Sequence, residues 1–207
     1  MRYSRGHKAH TRQRILHEAS RRLRAEGIGR LSIDDLMLRL GLTHGGFYAH
    51  FASKDALVTE ACAQEYTPQE VELLTGSAET DSQESIRTFI SGYLSKRHRD
   101  TPEMGCYLAA LAGELAHASM AARRTFTAAF ARYVERIARR MPGKTAQART
   151  DAALALLTGM SGAVAASRAV ADEELSDHIL DACREFYLRA FAAGNLSSGD
   201  QERKDQA

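Results

Sequence analysis

The chain has 207 residues, of which 44% are hydrophobic and 26% are charged, and its formal net charge is +2. This length and apolar content suit two small helical domains rather than one. The sequence has no run of 18 apolar residues and no apolar stretch after its first charges, and its three cysteines are widely spaced. We therefore expect a cytoplasmic protein without a transmembrane span, a signal peptide, a disulfide framework, a metal site or a cofactor.

Positive charge is concentrated at the amino-terminal end. Residues 1–30 contain nine lysines or arginines and two acidic residues, a net charge of +7, so residues 31–207 carry −5. Five of the eight histidines lie within the first 50 residues, so mild acidification would make this end more basic. This distribution favours a phosphate-binding surface in the amino-terminal part of the chain.

Residues 9–26 predict a first helix. Ile15, Leu16, Ala19 and Leu23 recur at intervals of three and four residues and form an apolar face. The opposite faces carry five arginines, namely Arg12, Arg14, Arg21, Arg22 and Arg24. We expect this helix to complete a small core with two shorter helices that follow it.

Two short helices joined by a glycine turn follow between residues 32 and 51. Ser32 and Thr43 are predicted N-caps, because their hydroxyls can accept hydrogen bonds from backbone N–H groups of the first helical turn. Gly41 is placed to adopt the left-handed conformation that closes a helix. Phe47 and Phe51 lie four residues apart and should face the core. The pattern predicts a helix-turn-helix, the DNA-reading motif in which the second helix enters the major groove.

Three short motifs stand in register in this region: Gly-Leu-Thr at 41–43, Gly-Gly-Phe-Tyr-Ala-His-Phe at 45–51 and Ser-Lys-Asp-Ala-Leu at 53–57. With the basic first helix, they make residues 9–60 resemble the DNA-binding domain of the TetR/AcrR family of one-component repressors. The resemblance implies that the start of the second helix enters the major groove and that residues around it contact phosphates. The implied DNA-binding residues are Ser32, Thr43, His44, Gly45, Gly46, Tyr48, His50 and Lys54.

The sequence departs from the family pattern at two positions. His44 stands where members often carry lysine or another long polar residue, so the preferred base is not readable. Gly46 adds a second glycine to the recognition helix, and each glycine costs about 0.5–1 kcal/mol relative to alanine. We therefore expect this helix to be fully formed only when it is bound to DNA.

Helical periodicity continues beyond residue 52. Further helices are predicted near 83–98, 104–117, 119–141, 144–170 and 173–193, with a loop at 75–82 and a stop at Pro142-Gly143. The predicted fold is all-α, with an amino-terminal three-helix DNA-binding domain at 1–52 and a helical ligand-binding and dimerisation domain at 53–195. Residues 196–207 are predicted to be a disordered tail.

The family resemblance also implies a homodimer on a palindromic operator of double-stranded DNA and an effector pocket. In that family the last two helices form a four-helix bundle with the partner chain. The dimer candidates are Leu156, Gly159, Ala163, Ile179, Cys183, Phe186 and Tyr187. The candidates for contact with an unknown small-molecule effector are Phe89, Tyr93, Cys106, Tyr107, His117, Phe126, Phe130 and Met160.

Other functions stay open at this point. The chain could be a DNA-binding helical protein without an effector, or a redox or electrophile sensor through Cys106, which follows a glycine at a predicted helix start. A helical enzyme is the third reading. His44-Gly-Gly-Phe47 is similar to the oxyanion-hole motif of esterases, but no G-x-S-x-G nucleophile motif accompanies it. We therefore expect no enzyme, and most favour a ligand-responsive repressor.

Overall fold

The predicted all-α fold is confirmed by a computed structural model, which describes residues 5–63 and 82–192 as helices and short connections, without a strand in these ranges. The α-helices are α1 Arg5–Arg30, α2 Ile33–Arg39, α3 His44–Phe47, α4 Lys54–Cys62, α5 Ser82–Tyr93, α6 Lys96–Asp100, α7 Tyr107–Leu115, α8 Met120–Ala138, α9 Ala146–Ala169 and α10 Glu173–Phe191. Of the loop predicted at 75–82, Ser82 instead begins α5, and the rest lies outside the described residues, as does the predicted tail.

The predicted helix boundaries needed two corrections. The single helix predicted near 83–98 is two helices, α5 and α6. The helix predicted near 104–117 begins at Tyr107, because Pro102–Met104 form a 3-10 turn with proline at its start. Proline lacks the N–H that a continuing α-helix would use, so the α-helical pattern restarts after the turn.

The chain consists of two compact units. The first unit contains residues 1–66 and 96–135, and the second contains 67–95 and 136–207. The boundary predicted at residue 52 divides a DNA-binding part from a ligand-binding and dimerisation part. It does not coincide with the division between these two units, and it stays a prediction.

The first unit has one apolar core. Leu16, Leu23, Phe47 and Phe51 are buried in it as predicted, Leu36 is buried with them, and Leu40 packs at its edge. The core also includes residues that the three-helix prediction left out, from α4 and α7: Leu57, Val58, Ala61, Cys62, Tyr107, Leu111 and Leu115. The amino-terminal helices therefore share a core with α4 and α7.

The connection between α1 and α2 receives a carboxylate from α7. Gly27 adopts φ +87°, which interrupts the helical backbone of α1. The N–H of Gly29 donates a hydrogen bond to Oε2 of Glu114 at 2.9 Å, and a Cβ at Gly27 would overlap the same carboxylate. A side chain at residue 27 is therefore opposed both by backbone conformation and by the carboxylate of Glu114.

In the second unit, α9 packs along α10. Gly159 of α9 faces Tyr187 of α10 so closely that a Cβ at residue 159 would overlap the tyrosine hydroxyl. Within the described residues, α9 is long and apolar enough to cross a membrane, but 44% of its apolar window is buried against the chain. One helix of this kind is weak evidence for a membrane span, because the core helix of a globular protein has the same length and composition.

Candidate nucleic-acid interface

The helix-turn-helix has the two caps that the sequence predicts, and the helix that follows it has a third. Oγ of Ser32 accepts a hydrogen bond from the N–H of Asp35 at 3.3 Å, and Oγ1 of Thr43 accepts one from the N–H of Gly46 at 3.3 Å. Oγ of Ser53 accepts one from the N–H of Ala56 at 3.0 Å. These bonds satisfy N–H groups that a helix start leaves without partners, so each helix begins at a defined residue.

The turn between α2 and α3 has the predicted left-handed glycine. Gly41 adopts φ +68°, and the N–H of Leu42 donates to the carbonyl oxygen of Met37 at 2.9 Å. This hydrogen bond returns the chain toward the end of α2, as in a Schellman closure. Leu42 packs at the edge of the core, as its position after the turn predicts.

The short recognition helix α3 is anchored from below by aromatic packing. The ring of Phe47 is fully buried and stacks on that of Phe51 with centroids 5.7 Å apart. The guanidinium of Arg12 lies 4.5 Å from the Phe51 ring centroid and pairs with the carboxylate of Glu60. Its Nε also donates to the carbonyl oxygen of His50 at 3.3 Å. The α3 segment is thereby tied to both α1 and α4.

Polar and small residues form the outward surface of α3. Thr43, His44, Gly45 and Tyr48 are exposed, and a Cβ at Gly45 would meet no atom within 4 Å. Nδ1 of His44 lies 2.5 Å from Oδ1 of Asp34, in the first turn of α2. We call this outward surface the reading face, formed by Thr43, His44, Gly45 and Tyr48.

Two further DNA-binding candidates flank the reading face. Lys54 is the first residue of α4 and is half-buried. Burial lowers the pKa of the His50 imidazole, and the nearby charges of Lys8 and Arg12 lower it further. His50 therefore stays neutral to a lower pH than an ordinary histidine.

The arginines of α1 do not form one solvent-facing set. The side chain of Arg22 is only 8% exposed and pairs with Oε2 of Glu26 at 2.9 Å. Arg24 donates to the carbonyl oxygen of Glu103 at 2.7 Å and lies over the ring of Tyr107. The periodicity placed both on a polar face, but helix packing in the first unit turns that face toward α2 and α7. The positive charge of residues 1–30 thus includes groups used for internal contacts.

The ligand candidates divide between the units. Phe89, Tyr93 and Met160 are buried in the second unit, while Cys106, Tyr107, His117, Phe126 and Phe130 belong to the first. Tyr107 shares a hydrogen bond with Ser20, and burial raises the pKa of its phenol. Phe126 and Phe130 stack with ring centroids 5.9 Å apart. Tyr107 is therefore core, while an effector role for any of the eight residues stays a prediction.

Cys106 is the N-cap of α7, as its predicted helix-start position requires. Its backbone N–H donates to Nε2 of His98 at 3.2 Å, and the residue is 5% exposed. The thiol is therefore largely shielded from solvent.

The dimer candidates differ in how far their side chains are exposed. Leu156 is fully buried and Ala163 nearly so, hence they support the α9–α10 pair from within. Phe186 is 58% exposed, and Ile179, Cys183 and Tyr187 are half-buried. A contact with a second chain through these residues stays a prediction.

Sequence reasoning missed two carboxylates. Asp34 is recognisable in the sequence only as a favourable charge at the start of α2, although it also contacts His44. Glu114 carries no sequence signal, although it binds the connection after α1. Both contacts join residues far apart in sequence, and periodicity does not indicate them.

Comparison with known proteins agrees with this geometry. Residues 15–61 match the family described as "Bacterial regulatory proteins, tetR family". The fold matches that of Escherichia coli NemR in its reduced form, with a TM-score of 0.74 and 16% identity over 90% of this chain and 100% of that one. It also matches a TetR-family transcriptional regulator from Agrobacterium tumefaciens, with a TM-score of 0.72 and 20% identity over 90% and 100% of the two chains. No curated protein sequence matches the chain.

The capped helices, the glycine turn and the exposed reading face define a helix-turn-helix DNA-binding protein. Residues 15–61 match the TetR family of bacterial regulatory proteins, and the chain has the fold of TetR-family transcriptional regulators.

Proposed function

We propose that the chain is a ligand-responsive transcriptional repressor that binds a palindromic operator as a homodimer and leaves it when a small-molecule effector binds. The observation that carries the DNA-binding part is the reading face on α3, held in place by the buried Phe47 beneath it. Free N–H groups at a helix start and exposed polar side chains suit base edges and phosphates.

The phosphate contacts assigned to Tyr48, His50 and Lys54 predict strong salt dependence. If a dimer neutralises about 6–10 phosphates, the affinity should fall by roughly 10³–10⁵ between 50 and 200 mM salt. Lys54→Ala should weaken binding to all sequences alike and reduce the salt slope. Arg189→Ala, which removes one exposed charge from α10 in the second unit, is the matched control and should leave the slope unchanged. A sequence-selective loss on Lys54→Ala would contradict its assignment.

Thr43 and His44 are proposed to affect base preference. Thr43→Ala removes the α3 cap, which costs about 1 kcal/mol, so Thr43→Ser is the control that keeps the hydroxyl. His44→Ala leaves the cap intact. We expect His44→Ala to change the ranking of operator variants in a fluorescence-anisotropy titration, and an unchanged ranking would remove His44 from the base contacts.

The homodimer is proposed through α9 and α10. A two-fold dimer reads two half-sites about 34–36 Å apart or a multiple of this spacing, which gives more specificity than one short site. The exposed ring of Phe186 supports this surface, because a large aromatic side chain gains by burial against a partner. Phe186→Glu should yield monomers in analytical ultracentrifugation, whereas Met120→Glu, at 56% exposure on α8, should not. A Phe186→Glu dimer of wild-type affinity would refute this surface.

The effector part is tested by release of DNA. The half-buried Phe126 and Phe130 rings provide apolar surface, with the imidazole of His117 nearby in sequence as a polar group. Small apolar compounds that raise the thermal midpoint should displace operator DNA, and Phe130→Ala should weaken displacement without weakening operator binding. If compounds bind without displacing DNA, the effector-free DNA-binding protein is the better description.

A thiol-based sensor is the second candidate, because Cys106 stands at the N-terminus of α7. Treatment with N-ethylmaleimide should then release operator from the wild type and from Cys183→Ser, but not from Cys106→Ser. Release from Cys106→Ser as well would refute the role of this thiol.

A further inference from the structure

The reading face contains an oriented histidine. His44 is the first residue of α3, and its Nδ1 lies 2.5 Å from Oδ1 of Asp34 on α2. An ionised carboxylate can only accept hydrogen bonds, so the hydrogen in this contact belongs to Nδ1. The contact thereby determines which edge of the imidazole points away from α2.

The other side of the ring faces Tyr48. The two ring centroids are 5.6 Å apart, with the planes tilted by 57°. Asp34 and Tyr48 together restrict the rotation of the imidazole, and half of the His44 side chain stays exposed. Within residues 5–63 and 82–192, Nε2 of His44 makes no hydrogen bond with the protein. Nε2 is therefore the ring atom that is free to meet a ligand.

The pair has little to contribute to folding. Asp34 is 75% exposed, and exposed ion pairs stabilise proteins weakly or not at all. A carboxylate next to a DNA-reading surface also repels phosphates, so its charge by itself opposes DNA binding. Apart from the favourable charge at the start of α2, which Asp35 shares, orientation of His44 is the contribution that remains.

We propose that Asp34 is a positioning residue for base recognition: it holds His44 with hydrogen on Nδ1 so that the Nε2 lone pair faces the major groove. In this form Nε2 accepts a hydrogen bond, which matches the exocyclic amino groups that adenine and cytosine present there. The proposal rests on the proposed DNA-binding function and adds to it the class of base edge that His44 reads.

The neighbouring residue Asp35 provides a control that distinguishes the effect of negative charge from the effect of positioning His44. Asp35 is also exposed and carries the same charge, but its carboxylate lies 3.8 Å from Arg22 and does not contact His44. Replacing either aspartate by asparagine removes one negative charge near the reading face. The Asp34 substitution alone also replaces the carboxylate, which can only accept, by an amide, whose NH2 can donate to Nδ1 and which therefore no longer fixes the hydrogen there.

The experiment begins with selection of duplexes from a randomised DNA library by the wild-type full chain at pH 8. Affinities for the selected duplex and for all its single-base variants are then measured for the wild type, D34N, D35N, H44A and the double variant D34N/H44A. Thermal midpoints measured in parallel check that every variant is folded.

We expect D35N to bind all duplexes slightly more tightly and to keep the wild-type ranking of bases. D34N should lose discrimination by roughly fivefold to tenfold at one base pair, the same pair at which H44A loses it. In the double variant, the Asp34 substitution should add no further loss of discrimination, because the two residues act through one contact.

The inference is overturned if D34N keeps the wild-type ranking as D35N does, or if D34N and H44A affect different base pairs. A selection from which the wild type enriches no sequence would instead overturn the proposed function itself, and the inference with it.

Discussion

The close contact between Gly159 and Tyr187 allows a specific prediction about the stability of the second unit. Gly159 lies inside the long helix α9, where alanine is intrinsically the better residue by about 0.5–1 kcal/mol. At this position, however, a Cβ would overlap the hydroxyl of Tyr187 and lie 2.8 Å from its Cζ. Gly159→Ala must therefore displace the tyrosine ring or separate α9 from α10.

The magnitude follows from comparison with a second glycine of the same helix. A Cβ at Gly162 would meet no atom within 4 Å, so Gly162→Ala gains helix propensity without a steric cost. The propensity terms cancel between the two variants, and the difference is the overpacking cost of about 1–3 kcal/mol. In a chain of this size 1 kcal/mol shifts the thermal midpoint by about 2–4 °C, so Gly159→Ala should melt about 2–12 °C below Gly162→Ala.

The assay is thermal unfolding followed by circular dichroism at several protein concentrations, so that any dimerisation of the chain is taken into account. Tyr187→Phe removes the overlapping hydroxyl and should restore part of the loss caused by Gly159→Ala. Equal midpoints for Gly159→Ala and Gly162→Ala would show that Tyr187 does not occupy the space beside Gly159.

Three further outcomes are expected. Burial raises the pKa of the Cys62 thiol to about 11, so iodoacetamide at pH 8 should label the half-buried Cys183 and spare Cys62 in peptide mass spectrometry. The thiol of the unfolded chain has its ordinary pKa of 9.0, so the unfolded chain loses the Cys62 proton at a lower pH than the folded chain does. The free energy of unfolding should therefore be highest below pH 9 and fall as the pH rises toward 11; a fall on acidification would have the wrong sign for Cys62. Gly45→Ala should make the free chain slightly more stable, because alanine is the better helix former and its Cβ would meet no atom within 4 Å, but it should weaken operator binding by more than about tenfold if the backbone of α3 approaches DNA, and wild-type affinity would exclude that approach. Gly27→Ala should lower unfolding stability by about 1–2 kcal/mol through its positive φ, whereas Gly29→Ala, with an ordinary φ and a Cβ contact of 3.7 Å, should be nearly neutral in urea titrations.

The local features of the amino-terminal domain could be predicted because they depend on residues close in sequence. Ser32, Thr43 and Ser53 cap helices through backbone N–H groups three residues later, and Gly41 closes α2 within one turn. Such contacts leave a pattern that a single sequence displays. The apolar spacing of Phe47 and Phe51 likewise predicted their burial.

Contacts between distant residues could not be predicted in the same way. Arg22 lies on a polar face by periodicity, yet the packing of α1 against its neighbours buries it beside Glu26 and Asp35. Glu114 reaches the glycine connection after α1 from a helix 85 residues later. Whether a charged side chain faces solvent or pairs within the fold depends on which helices pack together, and helical periodicity does not contain that information.

The architecture of α3 explains how a poor helix can present a defined surface. Four residues with two consecutive glycines make a segment with little intrinsic helix stability. Its position instead depends on contacts at its borders: the Thr43 cap at one end and the buried Phe47 at the other. Because these contacts lie beneath or at the ends of the helix, Gly45 can leave the outer surface without a side chain and still not loosen the anchor, whereas a Cβ at Gly46 would lie 3.4 Å from Oγ1 of Thr43. Because the second glycine, Gly46, weakens the helix, the position of the recognition segment depends on the Thr43 cap and on the buried Phe47. His44 and Tyr48 are the large side chains that project from it.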